Sequence, residues 1–358
     1  MCNHAFHGFL AALPKCEHHM HLEGSLSPEL LFELSGRNGI SLPSPSEDPA
    51  FTSIASLYER YAGFKSLDDF LHYYYIGFTV LIHEADFESL AFAYFTKAAG
   101  QGLRHAEVFF DPQVHVNRGV AYHTVVSGFT KARKRAEAEL GVTSLLIPCL
   151  LRHLPVPDSL GCFQTMKDAG HFQDGTLAGM GLCSSERDNP PSMWKEVFAL
   201  AKAEGVRLTA HAGEEGPAAY ILEALDELSV TRIDHGVNAR NDETVMKRLA
   251  DTETMLSVCP LSNVVLRGVT KVAEVPIRRF LDKGVKFSVN SDDPAYFGGY
   301  ILDNYCAVQK AFNLSVDEWT TISRNSIQGS WCSDERKQQL LGEVEKVVGE
   351  WRDIVTAK

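Results

Sequence analysis

The chain repeats one local pattern, in which an amphipathic helical stretch ends at a glycine and an apolar, β-branched run follows at once. Four such junctions lie at Gly102, Gly141, Gly205 and Gly284. Glycine just past a helix accepts the left-handed backbone conformation that ends it. The runs that follow are almost continuously apolar, as strands covered by helices on both faces must be. The pattern therefore predicts helices alternating with the strands of a parallel sheet.

About eight strands are predicted by the same periodicity criterion, at residues 15–21, 105–111, 144–152, 177–184, 207–211, 232–235, 255–259 and 286–290. Eight parallel strands that alternate with helices close most economically into a barrel. A doubly wound open sheet is the alternative, but its first strand usually runs into a glycine-rich phosphate loop, and here it runs into His-x-His. We therefore expect the α/β class and a (β/α)8 TIM barrel.

The expected barrel is one domain that spans residues 1–358, with an N-terminal extension at 1–12 and a C-terminal helix at 336–358. The gap between the first two strands is too long for a single crossover helix. It predicts extra helices inserted between strands 1 and 2. Among them, an aromatic segment at residues 68–82 is expected over the mouth of the barrel.

The charge balance limits the partners. The chain has 34 basic and 46 acidic side chains, a net charge of −12, and no basic block. It gains nothing from displacing phosphate counterions, so neither nucleic acid nor an anionic membrane surface is expected as a partner. A neutral small molecule such as a nucleobase stays open. The eight scattered cysteines predict free thiols, and without a signal segment the cytoplasm is expected, with the nucleus left open.

Function in such a barrel lies where the strands end, at the C-terminal rim. His19 and His21 close the first strand and share a face because they are two residues apart, whereas His18 points toward the helices. His211 ends the fifth strand and His235 the sixth. Converging histidines, joined by carboxylates on the same rim, are the ligand set of a borderline metal such as zinc.

Acidic residues follow two of these strands. Glu214 lies just beyond the fifth strand, where it could move a proton beside a metal. The alternative is a glutamate that caps the next helix, a role that suits Glu215 better. Asp292 and Asp293 precede Pro294, so extended backbone is expected, with one side chain toward the metal and the other toward a substrate.

Four segments together resemble the adenosine/adenine deaminase family over nearly the whole chain. They are HMHLEG at 19–24, HAGE at 211–214, DHG at 234–236 and SDDPAYF at 291–297. Within the metal-dependent hydrolases, the sequence is most similar to fungal-type adenine deaminases, through YYYIG at 73–77 and GSWC at 329–332.

The resemblance implies hydrolytic deamination of adenine to hypoxanthine and ammonia in purine salvage, with one Zn²⁺ per chain. By the family pattern, His19, His21, His211 and Asp292 hold the metal, Glu214 protonates the purine N1, His235 orients and helps to deprotonate the attacking water, and Asp293 forms a hydrogen bond at N7.

Two positions depart from the adenosine deaminases. Glu23 stands where those enzymes carry an aspartate, and we hypothesise that its extra methylene fills part of the sugar site. Cys183 replaces an aspartate after strand four, which leaves the contact to purine N3 unassigned, and we interpret this cysteine as structural.

Three other readings stay open. Adenosine or N6-substituted adenines are the alternative substrates of the same fold. A binuclear metallohydrolase would need a bridging lysine or carboxylate on strand four, and residues 181–184 offer none. The non-enzymatic alternative is an inactive barrel that binds purines.

Overall fold

The structure, a computed structural model, describes residues 5–356. Each strand pairs in parallel with the next one along the chain, in the order β1 to β8. The strands are β1 Lys15–Glu17, β2 Leu103–Phe110, β3 Thr143–Leu151, β4 Gly179–Cys183, β5 Arg207–Ala212, β6 Arg232–His235, β7 Met255–Val258 and β8 Phe287–Val289. The predicted (β/α)8 barrel is confirmed.

Helices surround the barrel and connect its strands. Their bounds are α1 Ala5–Ala12, α2 Pro28–Asn38, α3 Ile54–Tyr61, α4 Leu67–Phe78, α5 Glu84–Gly100, α6 Pro112–Asn117, α7 Tyr122–Leu140, α8 Val156–Asp168, α9 Lys195–Ala203, α10 Ala218–Glu227, α11 Glu243–Asp251, α12 Pro260–Val265, α13 Ile277–Lys283, α14 Ile301–Phe312, α15 Val316–Gly329 and α16 Asp334–Thr356. Gly141 and Gly284 cap α7 and α13 with φ of 68° and 72°. These two predicted junctions are therefore confirmed as left-handed helix ends.

Strand β1 is shorter than predicted. It ends at Glu17 because the chain beyond it pairs only through isolated bridges, Met20 with Asp292 and His21 with Phe109. The bridge at Asp292 closes the barrel between β1 and β8. There the N–H of His21 donates to the carbonyl oxygen of Asp292 at 3.0 Å, and the N–H of Asp292 donates to that of His19 at 3.1 Å. The seam of the barrel thus runs through three predicted metal ligands.

The long insertion between β1 and β2 carries α2 to α5, as predicted. Helix α4 brings Phe70, Tyr74 and Tyr75 to the wall of a cavity at the C-terminal rim. The aromatic segment therefore covers the mouth of the barrel.

The terminal helices touch each other. Helix α1 lies within the predicted extension at 1–12, of which residues 1–4 are outside the described part. Helix α16 begins two residues before the predicted 336, and 357–358 are outside the description. A Cβ atom added at Gly8 of α1 would lie 2.3 Å from the Trp351 ring of α16, so the glycine permits this close approach.

At the N-terminal end of the barrel, Lys15 is completely buried. Its ammonium group donates hydrogen bonds to the carbonyl oxygens of Leu10 and Leu13, at 2.5 and 2.9 Å. Burial, helped by the charge of Arg104, lowers the pKa of Lys15 to about 7. The Lys15 ammonium group therefore binds the C-terminal part of α1 and the residue just after it, at the end of the barrel opposite the C-terminal rim.

Free thiols are confirmed at six positions, Cys16, Cys149, Cys162, Cys183, Cys259 and Cys332. The prediction is wrong for Cys306, which is disulfide-bonded, and Cys2 lies outside the described residues. Among residues 5–356, none of the helices has the length and apolar character needed to cross a bilayer.

Candidate active site

The four predicted metal ligands meet at the C-terminal rim. His21 Nε2 lies 3.3 Å from His211 Nε2 and 3.6 Å from Asp292 Oδ1, and that oxygen lies 3.2 Å from His19 Nε2. Ring nitrogens of all three histidines lie within 4.8 Å of one another, and all four residues are buried. Three histidines with close ring nitrogens and a carboxylate against two of them could together hold a metal ion.

The electrostatics of this cluster suit a cation. Burial lowers the pKa of His21 to about 3 and that of His211 well below its usual range, so both rings are neutral, as ligands must be. Burial alone would lower the pKa of His19, but the Asp292 carboxylate outweighs it and raises that pKa. Positive charge is therefore favoured between these side chains. Three imidazoles and one carboxylate fit a divalent metal such as Zn²⁺.

Asp234 lies next to two of the ligands, and the sequence analysis named it only within the DHG segment, without a role of its own. Its carboxylate accepts hydrogen bonds from Thr209 Oγ1 and Ser257 Oγ, each at 2.8 Å. It lies 3.6 Å from His211 Nδ1, and Ser257 Oγ lies 3.0 Å from His19 Nδ1. Outer-shell carboxylates of this kind fix the tautomer and direction of ligating imidazoles. The sequence signal available for Asp234 was its position directly before His235 at the end of the sixth strand.

The prediction of extended backbone at Asp292 is wrong. Asp292 has a φ of 64°, and so does His235. Only Asp293 directly precedes the proline, so the restriction that proline imposes on its neighbour does not reach Asp292. A left-handed conformation costs a non-glycine residue about 1 to 3 kcal/mol. The two backbone hydrogen bonds across the seam hold Asp292 in it.

Glu214 lies beside the cluster without joining the ligand set. Its Oε2 is 3.4 Å from His235 Nε2, and that nitrogen is 3.7 Å from Asp292 Oδ2. Burial, with the charges of Asp292 and Glu186, raises the pKa of Glu214 well above its usual range. Burial lowers the pKa of His235 to about 3. The pair therefore favours a protonated carboxyl beside a neutral imidazole, an acid and a base in contact.

A second residue that sequence reasoning missed holds the Glu214 loop in place. The Glu186 carboxylate accepts the backbone N–H groups of Gly213 and Glu214 at 2.9 Å each, and that of Gly216 at 3.2 Å. It is 1% exposed. A buried acid three residues after β4 offered only a weak sequence signal, because its partners are backbone atoms.

Glu215 does not cap α10, contrary to the expectation. The residue before that helix is Pro217, and no side chain caps it. The Glu215 carboxylate instead accepts a hydrogen bond from Ser185 Oγ at 3.0 Å and pairs with Arg187. It therefore points away from Glu214 and leaves that side chain free for the cavity.

A partly open cavity lies above these residues at the C-terminal rim, lined by both polar and apolar side chains. Most of the predicted site residues line it; His19 and Glu23 do not. The lining residues are His21, Leu67, Phe70, Leu71, Tyr74, Tyr75, Asp111, Cys183, Ser184, His211, Glu214, His235, Leu266, Asp292 and Asp293.

The carboxyl group of Asp293 has an unpaired oxygen in this lining. This oxygen, Oδ1, is buried and has no hydrogen-bond partner among the described residues. Burial and the charge of Asp292 raise the pKa of Asp293 well above its usual range. A Cβ atom at Gly24 would lie 2.0 Å from that oxygen, so only glycine leaves it room. An orphaned buried oxygen beside the cluster is suited to a ligand contact.

Glu23 lies behind the wall of the cavity. It is completely buried, and its Oε1 accepts hydrogen bonds from His115 Nε2 at 2.8 Å and from the N–H of Asp111 at 3.1 Å. Burial raises its pKa to about 7. The structure thus brings Asp111, and not Glu23, to the cavity surface. Cys183 lines the cavity and donates weakly to Asp111 Oδ1 at 3.6 Å.

Comparison with known proteins extends over nearly the whole chain. The family model described as adenosine deaminase matches residues 14–347. The adenine deaminase of Gibberella zeae is 53% identical over 354 residues, which cover 99% of each chain. The crystal structure of adenine deaminase from Arthrobacter aurescens superposes with a TM-score of 0.89 at 44% identity, over 94% of this chain and 99% of that one. An amidohydrolase from Burkholderia ambifaria with bound Zn has a TM-score of 0.88 at 25% identity, over 100% and 96%.

Proposed function

The chain belongs to the adenosine deaminase family, and we propose that it catalyses the hydrolytic deamination of adenine to hypoxanthine and ammonia. The observation that carries the proposal is the cluster of His19, His21, His211 and Asp292 beside the Glu214–His235 pair, on the floor of one cavity. Relatives that match the whole chain at about half identity are adenine deaminases.

The metal is proposed to be Zn²⁺, one per chain, held by His19, His21, His211 and Asp292. Neutral imidazoles with one carboxylate are its preferred donors, and a relative of the same fold binds Zn. When bound, the ion supplies Lewis-acid activation of water at neutral pH. The left-handed Asp292 sets the direction of its carboxylate toward the three rings.

Glu214 acts as the general acid. Its raised pKa keeps a proton on the carboxyl near neutral pH, and it delivers this proton to N1 of the ring. Protonation at N1 draws electron density from C6 and makes that carbon electrophilic. Glu186 keeps the Glu214 carboxyl in this position because it accepts a hydrogen bond from the backbone N–H of Glu214.

His235 accepts a proton from the attacking water as the C6–O bond forms. Its Nε2 lies 3.4 Å from Glu214 Oε2 and 3.7 Å from Asp292 Oδ2, which places the ring to position the water and to share its proton. His235 then passes this proton to the departing amine, the C6–N6 bond breaks and ammonia leaves. As the C6 carbonyl forms, the hydroxyl proton returns to Glu214. The Asp293 carboxyl, which its raised pKa keeps protonated, is assigned a hydrogen bond that it donates to N7.

The setting proposed for this reaction is purine salvage in the cytoplasm, with the nucleus as a second compartment. Its partner is the small-molecule substrate. The acidic balance of the chain, 34 basic against 46 acidic side chains, supports a protein that binds neither nucleic acid nor membrane.

The test is ammonia release from adenine, adenosine and N6-methyladenine by the purified protein, with metal analysis of the same sample. We expect adenine to have the highest kcat/KM and about one zinc ion per chain. A higher kcat/KM for adenosine would overturn the proposal for adenine. Protein that contains zinc and releases no ammonia would favour the inactive purine-binding barrel.

A further inference from the structure

One carboxylate in the cavity has no part in the mechanism above. Asp111, at the end of β2, lines the cavity and is 2% exposed. A ligand atom of Asp111 lies within 4.8 Å of one on His21 and one on Cys183, whereas Glu214, His235 and Asp292 form a separate cluster of the same size. The cavity therefore has a second polar region, which meets the metal cluster at the ring of His21.

The packing of the protein does not use the Asp111 side chain. Aspartate directly before a helix usually caps it, but Asp111 makes no such bond to α6. Within residues 5–356 its carboxylate receives one hydrogen bond, from the thiol of Cys183, which is a weak donor. The group is thus left with acceptor capacity that faces the substrate space.

A chain of buried hydrogen bonds fixes Asp111 in this position. Arg118 Nη2 lies 2.8 Å from His115 Nδ1, and a guanidinium can only donate, so Nδ1 accepts. His115 Nε2 must then carry the hydrogen that it donates to Glu23, and Glu23 accepts the backbone N–H of Asp111 through the same oxygen. The buried side chains of His115 and Glu23, with the partly buried Arg118, therefore anchor the backbone from which the Asp111 carboxylate projects.

The substrate presents a matching donor. In the proposed mechanism N1, C6 and N7 face Glu214, His235 and Asp293, which directs the opposite edge of the purine, N3 and N9, toward the rest of the cavity. Free adenine carries a hydrogen on N9, whereas a nucleoside carries the sugar there. A buried acceptor at that edge recognises the base and leaves no partner for an N9-substituted purine.

We propose that Asp111 determines specificity by accepting a hydrogen bond from N9–H of adenine, and so excludes purines substituted at N9. The inference rests on the proposed function and deepens it. It also gives Glu23 a different task from the one expected, since this residue positions Asp111 from behind and does not fill a sugar site. Sites built to bind a substrate N–H reject analogues without it by about 10⁴-fold or more.

The test compares adenine with 9-methyladenine in the zinc-loaded wild type and in the variants Asp111→Ala and Asp111→Asn. In Asp111→Ala we expect kcat/KM for adenine to fall by ~10²-fold, mostly through KM because the contact is remote from C6. Activity on 9-methyladenine should not fall, so the preference shrinks by a similar factor. Asp111→Asn retains a carbonyl acceptor and should lose less, and unchanged zinc content shows that the site stays assembled.

A second measurement is independent of turnover. Calorimetry should show that wild type binds hypoxanthine far more tightly than 9-methylhypoxanthine, and that Asp111→Ala does not. Wild type that releases no ammonia from adenine overturns the proposed function, and calorimetry then still decides on Asp111. Wild type that deaminates adenine, with an Asp111→Ala variant that has the same kcat/KM and the same binding preference, overturns the role of Asp111 alone.

Discussion

Single side chains at the rim separate metal binding from proton transfer. In the proposed mechanism Glu214 lies 3.4 Å from His235 and serves as the acid, whereas His211 is one of the clustered imidazoles assigned to the metal. We predict that Glu214→Gln retains zinc and loses nearly all turnover, since an amide has no acidic proton to give to N1. General acid–base groups contribute about 10² to 10⁴-fold, and kcat should fall by at least this factor.

His211→Ala is the matched variant, and it should lose both zinc and turnover. Ammonia release and metal analysis on the two proteins check the pair. Substantial turnover in Glu214→Gln would show that another group protonates the ring.

Asp234 gives a second prediction at this scale. It lies 3.6 Å from His211 Nδ1 and reaches His19 through Ser257. Asp234→Asn preserves the shape but weakens the acceptor, so zinc affinity should fall by roughly 10- to 100-fold in competition with a chelator. Asp242→Asn is a suitable control, because Asp242 only caps α11 at the surface. Equal zinc affinities in the two variants would contradict the orienting role.

The residues that sequence reasoning found were those with a motif, such as the His-x-His pair, HAGE and the paired aspartates. Asp111, Glu186 and Asp234 escaped it. Glu186 and Asp234 bind backbone groups or neighbouring side chains, and Asp111 is held by Glu23, and these partners become visible only when distant segments are side by side. The left-handed Asp292 was missed for a related reason, because bonds to β1 impose that conformation and the adjacent sequence does not.

The connection between β5 and α10 is an element whose geometry decides activity. The Glu186 carboxylate accepts hydrogen bonds from three backbone N–H groups of this connection. In Glu186→Gln the amide NH₂ would face a backbone N–H of the loop, and because two donors cannot bond, we expect the loop to shift. A misplacement of Glu214 by roughly 1 Å should lower kcat by about 10²-fold. Zinc content should stay the same.

The control for this loop is Glu215→Gln. It changes a carboxylate of the same segment that points away, toward Ser185 and Arg187. Steady-state kinetics of both variants decide the matter, and equal kcat values would mean that Glu186 does not position Glu214.

Elements were predicted well where one physical cause sets them. The strand at 232–235 was placed at its observed bounds, and glycine ended α7 and α13 as expected. The first strand was placed too long, since its apolar-polar pattern continues through His21 while its ladder stops at Glu17. Pairing with two neighbours defines a strand end, and no local pattern encodes it.

At the scale of the molecule, Lys15 couples stability to pH. Its pKa is about 7 in the folded protein and near 10.4 in an unfolded chain. Between these values the unfolded state binds the extra proton, so the free energy of unfolding rises with pH. Relative to Lys15→Met, the wild type should gain up to about 1.4 kcal/mol per pH unit from pH 7.5 to 9.5. Urea unfolding of both proteins at several pH values measures the difference, and parallel curves would contradict it.

The barrel as a whole was predictable because its repeat is encoded locally, one helix, glycine and strand at a time. That the chain forms one domain stays a prediction, supported by ligands drawn from both ends of the strand order. The shape of the cavity was not predictable, since α4 covers it through contacts between segments far apart in the sequence.

The seam between β1 and β8 joins segments that the ribosome makes at different times. His19 and His21 are made early, and Asp292, which completes both the seam and the ligand set, follows about 270 residues later. At roughly 5 to 20 residues per second, the nascent chain waits on the order of 15 to 55 seconds before that side chain exists. The proposed metal site can therefore reach its full ligand set only late in the synthesis of the chain.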